Sequence, residues 1–283
     1  MDEIDIFDVM AGVSPAMQQH LDVLNPEQLA AVVHQGSPLL ILAGAGSGKT
    51  RVITTKIAYL IAEKHVDPRA ILAVTFTKKA ANEMQQRAVQ LDARAADAKI
   101  CTFHSFGAWF LRVYAESAGV SPNFTVYDDD DMVTLLCKAN PKLTKAQANH
   151  FAHRIALAKD YCMEADDARL DQIDSDPEFR AVYASYQARL RDTGNVDFGD
   201  LIMLPCLALR RDKYLRHRMH RRFSVIMVDE YQDSNVAQFL LLQALSGADE
   251  DSGTYVCVVG DDDQSIYKFR GANIRNILDF RSE

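Results

Sequence analysis

Eight consecutive residues, Ala43-Gly44-Ala45-Gly46-Ser47-Gly48-Lys49-Thr50, have the side chains needed to wrap a row of phosphates. Small residues let backbone N–H groups turn inward to an anion, and a helix that starts where the loop ends adds its positive dipole. Lys49 can reach the outer phosphates, and the Thr50 hydroxyl can ligate a magnesium ion. The usual pattern opens with Gly, and Ala43 departs from it, but the glycines that make the tight turns are in place. A second pair, Asp229-Glu230, follows the apolar run Val225-Ile226-Met227-Val228. Asp229 suits the metal, directly or through water, and Glu230 suits orienting and deprotonating an attacking water. Beside a phosphate loop, this pair completes a phosphoryl-transfer centre in which Lys49, Mg²⁺ and usually an arginine counter the charge on the γ-phosphate. ATP with Mg²⁺ is therefore the expected ligand. The sequence points to no certain arginine for the last role.

Something must hold these residues at one place. Five short apolar runs end where polar chemistry begins: Leu39-Leu40-Ile41-Leu42-Ala43, Ile71-Leu72-Ala73-Val74, Ile100-Cys101-Thr102-Phe103, Val225-Ile226-Met227-Val228 and Tyr255-Val256-Cys257-Val258-Val259. They are short and mostly rich in β-branched residues, so they read as buried strands. Amphipathic stretches at Gly48–Glu63, Lys78–Leu91 and Asn235–Leu245 read as helices. Strand then helix, repeated, predicts an α/β fold with a parallel sheet covered on both faces, and ligands at the carboxyl ends of the strands. From about 108 to 196 no strand pattern is visible, and helices are expected near Asp129–Ala139, Lys145–Asp160 and Pro177–Asp192. The acidic run Asp128–Asp131 suits a helix start. The expected organisation is a discontinuous nucleotide-binding domain, 1–107 with 197–283, and an all-helical insertion at 108–196.

Composition narrows the class. The chain has 283 residues and 48% hydrophobic residues, enough for a sizeable core. Its net charge of −8 argues against coating nucleic acid by bulk charge. The densest basic stretch, 210–222, reads first as a solvated helix face. Five cysteines without a CxxC pair argue against a zinc site or a disulfide framework. With no apolar run of membrane-spanning length and an acidic start, a cytoplasmic protein is expected, nucleoid-associated if bacterial.

The residues around these sites resemble a known family. Asp229-Glu230-Tyr231-Gln232-Asp233 resembles motif II of the UvrD/Rep/PcrA helicases of superfamily 1, and the stretch from Val259 through Gln264 to Ala272 resembles motif III. Thr75-Phe76-Thr77-Lys78-Lys79 through Arg87 resembles motif Ia, and Thr102-Phe103-His104-Ser105 the next DNA-contacting segment. Leu24-Asn25-Pro26-Glu27-Gln28 resembles the Q motif, and Val196–Leu201 the segment re-entering the first motor domain. The resemblance implies a RecA-like P-loop NTPase domain in an ATP-dependent DNA helicase moving 3′ to 5′ on single-stranded DNA, acting at single/double-strand junctions in repair or replication.

Residue roles follow from the resemblance alone. Gln28 would read the adenine edge, and Arg51 would pack on the base. Gln264 would sense the γ-phosphate, and Arg270 would tie that region to the ATP site. Thr75, Phe76, Thr102, Phe103, His104, Tyr267 and Phe269 would line the DNA track, where aromatic faces accept any base. Phe269 stands where the family usually has Trp, and Lys78 where it usually has Asn. Family members continue into a second RecA-like domain that supplies further arginines. This chain stops at Glu283, so it is expected to be the front of a longer protein, with low turnover alone. The alternatives are a helicase-nuclease subunit resembling RecB or AddA, a nucleotide-gated DNA-binding protein without motor action, and an ATPase acting on RNA.

Overall fold

Helix caps written in the sequence set where the first elements begin. In the computed structural model, which describes residues 12–44, 46–247 and 253–261, Ser14 caps α1 (Pro15–Leu21) and an Asn25/Gln28 capping box starts α2 (Pro26–Val33). Next come β1 (Leu39–Leu42), α3 (Lys49–Ala62), β2 (Ile71–Thr75), α4 (Lys78–Leu91) and β3 (Lys99–Thr102). The chain continues through α5 (Phe103–Val113) and α6 (Ala115–Ala118) to β4 (Val126–Tyr127). Three helices follow, α7 (Asp129–Ala139), α8 (Lys145–Asp160) and α9 (Phe179–Asp192), then β5 (Val196–Asp197). The last elements are α10 (Asp200–Arg211), α11 (Lys213–Arg222), β6 (Val225–Val228), α12 (Val236–Ser246) and β7 (Tyr255–Gly260).

The five long strands form one parallel sheet in the order β1-β7-β6-β2-β3. Alternation along each strand divides the core. Ile71, Ala73, Val225, Met227, Cys257 and Val259 pack with Ile53, Ile57 and Met84 of α3 and α4. Leu72, Val74, Ile226, Val228, Val256 and Val258 pack on the other face with α5, α10 and α12. Burial on both faces explains why these strands read as continuous apolar runs. All five carboxyl ends lie along one edge, with Thr75 beside Thr102 and Val228 between Val74 and Val258.

The middle of the chain departs from expectation in two ways. It is not purely helical: β4 pairs in parallel with β5, Val126 opposite Val196. Two-residue strands show no alternation, so sequence periodicity passes over them. The expected boundary at 108 falls inside α5, whose Phe103, Phe106, Phe110 and Leu111 belong to the core of the main sheet. A separate core, including Leu136, Phe151, Ile155, Tyr183 and Leu190, joins α7, α8 and α9. The acidic run does begin α7, with Asp128 and Asp131 forming a capping box.

A buried ion cluster joins the two cores. Lys159, at the end of α8, donates to Asp200 at 2.7 Å and also to Asp197 of β5, and all three side chains are buried. The Tyr186 hydroxyl of α9 donates to the same Asp197 oxygen at 2.8 Å. Burial alone would lower the Lys159 pKa, but the two carboxylates raise it on balance. Gly199 lets the lysine stem pass, since a Cβ there would stand 2.9 Å from Lys159 carbons.

Candidate functional site

The phosphate loop leaves β1 and enters α3 by two left-handed residues, Gly46 (φ 75°) and Gly48 (φ 88°). Only glycine takes this conformation without a steric cost, so the loop's shape is written in its composition. Ala43 donates to the Gly260 carbonyl at 3.0 Å, fixing the loop's start to the end of β7. Ala45 lies outside the described residues. Gly46, Gly48, Lys49, Thr50, Arg51, Arg87 and Glu230 line an open cavity of about 390 Å³.

Lys49 is largely buried, and its Nζ lies 3.6 Å from both Glu230 Oε2 and Asp261 Oδ2. These carboxylates come from the ends of β6 and β7, so the sheet order itself gathers them at the loop. Asp229 is buried and takes the Glu230 N–H on Oδ1 at 3.0 Å. Burial first, and then the Glu230 charge, raise its carboxyl to about 6, and the same two causes raise Asp233. Glu230 has a left-handed backbone, φ 54°, which is strained for a residue with a Cβ.

Gln28 is engaged by its own surroundings. Its Oε1 accepts the Asn25 N–H at 3.2 Å, and its Nε2 donates to the Ser47 carbonyl at 2.8 Å. It thus caps α2 and braces the phosphate loop. Lys56 of α3 holds the other end of α2, donating to the carbonyls of Ala31, Val32 and His34 at 2.7–3.1 Å. Arg87 of α4 entered the sequence reading only as part of a motif, yet it lines the cavity and pairs with Glu83. Its spacing from the phosphate loop, 38 residues on from Lys49, carried no signal of that placement.

The ends of β2 and β3 place the expected DNA residues side by side, and they divide into two groups. Phe76 is half-buried and packs on Phe103, ring centres 5.3 Å apart. Phe103 itself is 2% exposed and sits in the core, which corrects the expectation that it contacts DNA: its ring is closed to a base. Thr75 and Thr102 are also buried, and the Thr102 hydroxyl caps α5 by accepting the Ser105 N–H at 3.1 Å. His104 stacks on Phe198 with ring centres 3.8 Å apart. Burial lowers the His104 pKa to about 4, so near neutrality it offers a ring face rather than a charge. Phe198 is 55% exposed, an aromatic that sequence reading left out although it lies within a segment quoted for its resemblance. Gln264, Tyr267, Phe269 and Arg270 lie outside the described residues.

Among the described residues, no group of three or more His, Cys, Asp or Glu side chains is placed to hold a metal alone, and no helix is long and apolar enough to cross a membrane.

The profile of the UvrD/REP helicase N-terminal domain matches residues 24–283. The ATP-dependent DNA helicase UvrD1 of Mycobacterium tuberculosis is 45% identical over 285 residues, covering 96% of this chain and 37% of that protein. The ATP-dependent DNA helicase PcrA of Bacillus subtilis is 42% identical over 276 residues, covering 94% of this chain and 36% of that protein. PcrA of Staphylococcus aureus is 40% identical over 273 residues, covering 94% of this chain and 37% of that protein.

Proposed function

From the premise that this chain belongs to the UvrD/REP helicase family, we propose that it is the ATP-binding motor half of a DNA helicase. The observation that carries the reading is the meeting of Lys49, Glu230 and Asp261 at the end of one parallel sheet, beside a loop shaped by Gly46 and Gly48.

In this reading the loop N–H groups and Lys49 hold the β- and γ-phosphates, drawing Lys49 away from its carboxylates. Arg51 and Arg87 place two more cations around the nucleotide, and Gln28, Ala43, Gly44, Ala45, Gly46, Ser47 and Gly48 complete its bed. Glu230 takes a proton from the attacking water. The Thr50 hydroxyl and Asp229 are hard oxygen donors suited to Mg²⁺, and the raised Asp229 carboxyl marks a buried acid without a full counter-charge. When bound, Mg²⁺ neutralises charge on the phosphates. Gln264 and Arg270 keep their roles as γ-phosphate sensor and link.

Single-stranded DNA would cross the same edge over β2 and β3, on Phe76, the His104–Phe198 stack, Tyr267 and Phe269. Thr75 and Thr102, buried at the strand ends, would hold this track in place from beneath. The proposed division is a motor domain interrupted by the helical segment built on α7, α8 and α9. Because the chain spans only 37% of its mycobacterial relative, the remaining clamp, 3′ to 5′ movement, strand separation at junctions and a role in repair or replication belong to the complete protein.

The test is ATP turnover by this chain with and without oligothymidine, alongside Lys49→Ala. Lys49-dependent nucleotide binding with very slow turnover supports a half-site that needs a second domain. Fast DNA-stimulated turnover by the chain alone would show the chemistry complete within it and reject that reading.

A further inference from the structure

We infer that Gln232 is a positioning residue for hydrolysis, a single amide that holds the base Glu230 and ties it to the end of β7. The inference rests on the role given to Glu230 above. Gln232 Nε2 donates to Glu230 Oε2 at 2.6 Å, while its Oε1 accepts the Asp261 N–H at 2.9 Å. The partners fix which way the amide faces, because an ionised carboxylate only accepts and a backbone N–H only donates.

Three features of the surroundings point the same way. Gln232 is buried in the short turn Tyr231–Asp233, so its amide has no water to share. Gly260 leaves it room, since a Cβ there would stand 3.0 Å from Gln232 Oε1. Glu230 sits in a left-handed conformation that is strained for a residue with a Cβ and persists only where neighbours fix it. The amide contact to its carboxylate is a short hydrogen bond, whereas Lys49 Nζ stands off at 3.6 Å.

Two consequences follow. Donation to Oε2 fixes the orientation of the Glu230 carboxylate and leaves Oε1 as the oxygen that takes a proton from water. The second bond makes the base ride with the backbone of Asp261, whose carboxylate faces Lys49. A movement of the β7 end reaches the base through one side chain.

The experiment uses the complete protein, measuring DNA-stimulated ATP turnover from pH 6 to 8 and, separately, equilibrium binding of a fluorescent ATP analogue. Gln232→Ala is expected to lower kcat at least ~10-fold while nucleotide affinity stays within about twofold. Gln232→Glu supplies the decisive readout. The introduced carboxyl group, when ionised, cannot donate and repels Glu230. When protonated, it donates as the amide did. The kcat of Gln232→Glu relative to the unaltered protein is therefore expected to recover as pH falls, which a merely structural role would not produce. Unchanged kcat in Gln232→Ala, or a pH-independent loss in Gln232→Glu, would overturn the inference. Full turnover in Lys49→Ala and Glu230→Gln would instead bring down the reading of the site beneath it.

Discussion

The raised Asp229 carboxyl has a definite sign in pH. Its folded pKa lies above the unfolded value, so ionisation between about pH 4 and 6 costs the fold stability, and a bound cation returns it. Mg²⁺ needs the ionised form. Mg²⁺-dependent nucleotide binding is therefore expected to be flat above about pH 7 and roughly tenfold weaker at pH 5, with the pH step absent in Asp229→Asn. Titration calorimetry across that range checks it. On the DNA side, Phe198→Ala should leave stability within ~0.5 kcal/mol, because the ring is exposed. It should weaken oligothymidine binding by ~1–3 kcal/mol in fluorescence anisotropy. These residues differ in how legible they were. Lys49 and Asp229 follow runs that announce a strand end, so type and place were read together. Phe103 and Phe198 are both aromatics in segments quoted for their family resemblance, and nothing in the sequence says that one faces the core and the other faces out. Gln232 stood in a quoted motif, but its two bonds depend on β7 lying beside β6, a neighbour relation that residue spacing does not record.

Elements carry a different kind of information. The strands were legible because burial on both faces selects β-branched and aliphatic runs, and the helix starts were legible where Asp128 and Asn235 form capping boxes. Strand order and the β4–β5 pair were not, since both depend on contacts far apart in the chain. The tightest such contact is helix on helix. A Cβ on Gly107 of α5 would stand 1.7 Å from the Leu201 carbonyl oxygen of α10. Gly107→Ala must push the two helices apart, and a loss of at least ~1–3 kcal/mol in thermal or urea unfolding is expected. The junction between the two cores makes a second prediction. Lys159→Met leaves Asp197 and Asp200 buried without their cation, which should cost ~3–5 kcal/mol. Replacing all three by apolar residues should recover much of that loss, as unfolding of the triple variant would show.

At the scale of the molecule, the DNA binding proposed for this acidic chain would rest on local contacts rather than its overall field. With net charge −8 and the proposed aromatic track, oligothymidine binding should depend weakly on salt. A slope of log K against log salt shallower than about −2, corresponding to some three phosphates neutralised, is expected from ~50 to ~300 mM. A much steeper slope would point to the basic helix α11 as part of the footprint. The order β1-β7-β6-β2-β3 also fixes how far a signal has to travel. Neighbouring strands lie ~4.8 Å apart, so the strand carrying Asp229 is one spacing from the strand that ends at Thr75 and about 10 Å from the strand that ends at Thr102. The whole row from phosphate loop to His104 spans only about 19 Å of hydrogen-bonded backbone. A stiff ruler of that length needs no relay through the protein's interior: a tilt of its middle strand displaces what rests on both of its ends.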